Sequence, residues 1–92
     1  MDEQTRKQVV KQLDELRTAV SEHLGNEPRH HDPVAAHVEE LRALVDDRAS
    51  DNKEAQASAT GLERRLLVWE AEHPQLTALA ARVARVFEDA GL

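Results

Sequence analysis

The chain has no cysteine, no tyrosine and no isoleucine, and its aromatic residues are Trp69 and Phe87 alone. Without cysteine there are no disulfides, no thiolate metal ligands and no thiol chemistry. Glycine and proline occur three times each, and no segment alternates apolar and polar residues as a half-buried strand would. No apolar run approaches the roughly 20 residues that a membrane-spanning helix requires. The opening MDEQTRKQ is charged from its second residue and lacks the apolar core of a secretion signal. The cytoplasm is therefore the expected location. Positive charge is also in short supply: the formal net charge is −6, against the large basic face that a nucleic-acid or anionic-membrane binder needs.

What is present is helix-forming. Alanine, leucine, glutamate, arginine and glutamine dominate, and 92 residues are enough for one small domain. Alanine accounts for much of the 40% apolar content, so a monomeric core would be thin and association would help it.

Periodicity predicts the elements. Val9, Leu13, Leu16, Val20 and Leu24 recur at helical spacing, giving a first helix over about 2–24 with Gly25-Asn26 as its stop. A short loop, NEPRHHDP, follows. Asp32 as N-cap and Pro33 at the first helical position predict a second helix over about 33–48, with Val34, Val38, Leu41, Leu44 and Val45 inward. Residues 49–59 hold no apolar side chain larger than alanine and read as either a helical extension or a mobile connector. Asp51 with Glu54 and Thr60 with Glu63 compete as capping boxes, but the apolar stripe starts only at Leu62.

From there Leu62, Leu66, Trp69, His73, Leu76, Ala80, Val83, Phe87 and Ala90 step alternately by four and three, with Leu67, Leu79 and Val86 widening the stripe. The phase holds across Pro74, although proline inside a helix removes a hydrogen bond and displaces the residue before it from helical geometry. His73 then becomes an N-cap and Pro74 the first residue of a new helix, with helices over about 52–72 and 74–90 nearly collinear. Gly91 and Leu92 suit a Schellman ending that folds Leu92 back toward Phe87. The expected fold is all-α: one domain, residues 1–92, forming an antiparallel, coiled-coil-like bundle of three helices, the third broken or kinked at His73-Pro74.

The C-terminal third resembles a family of small bacterial proteins classed as a domain of unknown function, which end in aromatic-Glu-x-x-His-Pro-x-Leu, an amphipathic helix and Gly-Ile. The matching residues are Trp69, Glu70, His73, Pro74, Leu76, Gly91 and Leu92, with tryptophan in place of phenylalanine and leucine in place of isoleucine. The resemblance implies a small helical protein and assigns no activity.

Candidate chemistry is sparse. His30, His31 and Asp32, with His37 a turn into the second helix, are residue types that ligate zinc or nickel. Their spacing matches no closed metal site, so a polar loop with a capping aspartate is preferred. His73 reads first as a cap or joint residue, then as a pH-sensitive group at a subunit contact, and last as a general base. Trp69 reads as core, with an exposed partner hot spot as the second option. Arg64-Arg65 and Arg82 with Arg85 are small basic spots; Glu39-Glu40 and Asp46-Asp47 read as a solvated face. No Ser/His/Asp set, paired catalytic carboxylates or glycine-rich phosphate loop can be assembled, so neither an enzyme nor a cofactor is expected. The function expected is a non-enzymatic protein–protein interaction or dimerisation module, its partner unidentified and a homodimer among the candidates. Its interaction or structural residues are Trp69, His73, Pro74, Leu76, Phe87, Gly91 and Leu92. The alternative is a metal- or ligand-responsive regulator that uses His30, His31, Asp32 and His37.

Overall fold

Four helices account for nearly all of the computed structural model, which describes residues 3–47 and 52–89. They are α1 (Glu3–Leu24), α2 (Pro28–Asp46), α3 (Asn52–Leu67) and α4 (Pro74–Asp89). A 22-residue helix is about 33 Å long. That nearly matches the longest dimension, 36 Å, so the molecule is one helix long. Each helix packs on its two neighbours, α1 on α2, α2 on α3, α3 on α4 and α4 on α1, which closes a ring around one core.

The pairs are antiparallel. Arg17 on α1 bonds Glu39 on α2 at 3.0 Å and Asp14 bonds Arg42, so numbering rises along one helix as it falls along the other. At the far end Thr5 and Gln8 share a groove with Val86 and Asp89, which places the start of α1 beside the end of α4.

The inward residues of α1 and α2 are those the spacing predicts: Val9, Leu13, Leu16, Val20 and Leu24 from α1, and Val34, Val38, Leu41 and Val45 from α2. Leu62, Leu66, Leu76, Ala80, Val83 and Phe87 join them, and Leu44, Leu79 and Val86 pack at the edge. Gly25 follows α1 directly. A Cβ there would lie 2.4 Å from the Ser21 carbonyl oxygen, so the turn requires a residue without a side chain.

Four expectations need correction. First, α2 begins at Pro28, not near 33, and Pro33 lies inside it. Both prolines can occupy a first helical position, but the earlier start adds a turn that lays His30 on Trp69. Pro33 then costs α2 the bond that the Arg29 carbonyl would accept, at an exposed residue close to the helix start. Asp32 caps nothing; its carboxylate accepts from His31 Nδ1 at 3.0 Å.

Second, the third element is not one kinked or nearly collinear helix. Residues 68–73 form a turn that reverses the chain, and α4 runs back along α3. The turn satisfies its own backbone. Leu66 O accepts from Trp69 N at 2.9 Å, Trp69 O from His73 N at 2.8 Å, and His73 O from Leu76 N at 3.1 Å. Third, the packed part of α3 begins at Ala55 and Ala59, both buried, well before Leu62. Alanine is enough there because α3 lies close to its neighbour: His37 Nε2 on α2 reaches Ser58. Fourth, Leu67 does not widen the core stripe; it is 47% exposed.

Thr60 lies inside α3, so its capping-box role falls away. Asp51, Ala90, Gly91 and Leu92 lie outside the described residues.

Candidate functional site

The residues singled out for chemistry are drawn apart. His30 Nδ1 donates to the Glu27 carboxylate at 3.2 Å, and His31 turns to Asp32. His37 faces α3, its Nε2 at 3.0 Å from Ser58 O and 3.2 Å from Ser58 Oγ. Among the described residues, no group of three or more His, Asp or Glu side chains is arranged to hold a metal ion.

The His37–Ser58 contact is one that the residue pattern did not show. It resembles a Ser–His catalytic dyad, but two features argue for a staple. A carbonyl can only accept, so the Nε2 facing it carries the proton and cannot take one from the Ser58 hydroxyl. Ser58 also sits in mid-helix, where the backbone N–H groups are already bonded and none is free to stabilise an oxyanion.

What the fold does assemble lies at the end of the ring where both hairpin turns meet. Glu27 occupies the N-cap position of α2 without capping through its side chain. Its carboxylate instead lies between His30 and His73 Nε2, the latter at 4.0 Å. His73 also meets the His23 ring from α1 edge-on, with centroids 6.0 Å apart. Trp69 stacks on His30 with a centroid separation of 4.5 Å and a tilt of 33°. The side chains of the two turns therefore tie the hairpins together. His73 holds the position before Pro74, as expected, but its side chain is spent on α1 and Glu27.

Trp69 is half-buried at the edge of the core. Beside it, the large hydrophobic residues left exposed among those described are Leu67 and Val68, the latter 77% exposed. Arg64 and Arg65 precede them on the last turn of α3, and Glu70 and Glu72 follow in the turn; all four are exposed. The open groove along α1, by contrast, is lined by Lys7, Lys11, Asp14, Thr18 and other residues of that one helix, on its outward face. It encloses nothing.

Thr77, buried on α4, donates its hydroxyl to Leu66 O at 3.3 Å and so completes the end of α3. A polar residue within an apolar stripe was the available signal for it.

None of the described helices is long and apolar enough to cross a membrane. Comparison with known proteins returned no match: no family model, no curated protein and no solved structure aligns with the chain.

Proposed function

We propose that the chain is a non-enzymatic helical interaction module of the cytoplasm that docks a protein partner through the α3–α4 turn. One observation carries this reading: Leu67 and Val68 stand exposed side by side next to Trp69. Single exposed apolar residues are ordinary, but here two adjacent ones adjoin Trp69 and follow Arg64-Arg65, and tryptophan and arginine are the residue types enriched in binding hot spots. The stack on His30 holds the indole in place, so little side-chain freedom is left to lose on binding. The alternative, a regulator built on His30, His31, Asp32 and His37, has less support, because each of these histidines has a different partner.

The test is affinity purification from the native cell with the wild-type chain and with Leu67→Ser/Val68→Ser. A partner that co-purifies with the first and not the second is the expected outcome. Equal recovery by both would place the docking surface elsewhere.

A further inference from the structure

We infer that the partner engaged by this surface is a second copy of the chain, docked turn to turn about a twofold axis passing close to Val68. The inference rests on the reading just given and adds the identity of the partner.

The turn reads RRLLVWEAE: two arginines, an apolar centre and two glutamates. A twofold contact sets each residue of one copy against a different residue of the other, and the reverse pairing follows by symmetry. Across such an axis Arg64 and Arg65 of one copy face Glu70 and Glu72 of the other, twice over, with Leu67 and Val68 enclosed between them. The pattern is its own complement.

These charges are also free. Arg64, Arg65, Glu70 and Glu72 form no ion pair among the described residues, so pairing them across the axis breaks none within the chain. Net charge sharpens the choice of surface. A molecule carrying −6 repels its own copies, so self-association favours a spot that is locally balanced. Two arginines against two glutamates make this turn such a spot.

The molecule is only 20 × 18 Å across its short axes, so an end-on contact is smaller than the roughly 800 Å² per partner of a standard interface. The dimer is therefore weak and concentration-dependent.

Sedimentation velocity from about 10 μM to about 1 mM, the range in which a small interface of this kind populates both states, tests it. The wild-type chain is expected to pass from monomer to dimer, and Val68→Asp to weaken association at least about tenfold. The charge pattern gives the decisive arm. Arg64→Glu/Arg65→Glu and Glu70→Lys/Glu72→Lys each set like charges together and are expected to remain monomeric. Mixed, they restore both pairings and are expected to form a heterodimer. All the substituted positions are exposed, and circular dichroism confirms that each variant is folded. A wild-type chain that stays monomeric at the top concentration, or charge variants that associate no better mixed than apart, overturns the second copy as partner. Partner recovery with Leu67→Ser/Val68→Ser is read separately. If it still depends on the patch while the chain is monomeric, only the identity of the partner was wrong.

Discussion

The two hairpins of the ring are held together by different means. In the first, α1 and α2 bury valines and leucines and clip their outer edges with Arg17–Glu39 and Arg42–Asp14. In the second, α3 and α4 bury Ala55, Ala59, Ala80 and Ala84, and Thr77 ties α4 to the end of α3. The first hairpin carries these ion pairs across its seam and turns tightly at Gly25. The second takes a longer turn, and Arg64, Arg65, Glu70 and Glu72 around it are exposed. The first hairpin thus fastens its seam with charge, and the second with close alanine packing and one hydrogen bond.

The largest effect is expected at the bulkiest buried side chain of the alanine-richer half. Phe87 is fully buried. Phe87→Ala should cost about 3–5 kcal/mol, as large-to-small changes in cores do, measured by urea unfolding. Because the core is shared, both halves should melt in one transition; two transitions would show that the hairpins are independent.

The glycines sharpen the contrast with opposite signs. Gly25→Ala drives a methyl group into the Ser21 carbonyl and should destabilise by more than about 1 kcal/mol. Gly61 lies inside α3, where a Cβ would meet His37 Cε1 at an ordinary 3.5 Å. Gly61→Ala should therefore stabilise, by about 0.5–1 kcal/mol, since alanine is the better helix former. Thermal midpoints that move in the same direction for both would contradict this account. The smallest effect belongs to the clips. Arg42→Ala and Glu39→Ala, at exposed ion pairs, should each cost less than about 1 kcal/mol and less again at high salt.

The first half of the fold was the more legible in sequence, for a physical reason. Large apolar residues at helical spacing mark a buried face without ambiguity, and α1 ends where its stripe ends. Alanine marks nothing by itself. It is buried at 55 and 59 and exposed at 57, and only the close approach of α2 decides which. The reversal at 68–73 was hidden because periodicity records which face is apolar and not which way the axis runs. A hairpin that folds back over the same core keeps the phase just as a straight rod would. At the candidate site, Leu67 looked like part of the stripe, and Val68, outside it, drew no reading of its own. The grouping of His23, Glu27, His30, Trp69 and His73 comes from α1, α2 and the two turns, and no local pattern signals a meeting of that kind.

The ring also bears on how the chain finds its structure. Three of its four seams join helices adjacent in sequence, so their contacts form after short excursions of the polymer. The seam between α1 and α4 is different: it requires the span of α2 and α3 to close into a loop, an entropy cost that rises slowly with length. Mostly local contacts predict rapid folding. The α1–α4 seam is then the last to zip, and a mutation there should slow closure of the ring more than formation of its parts.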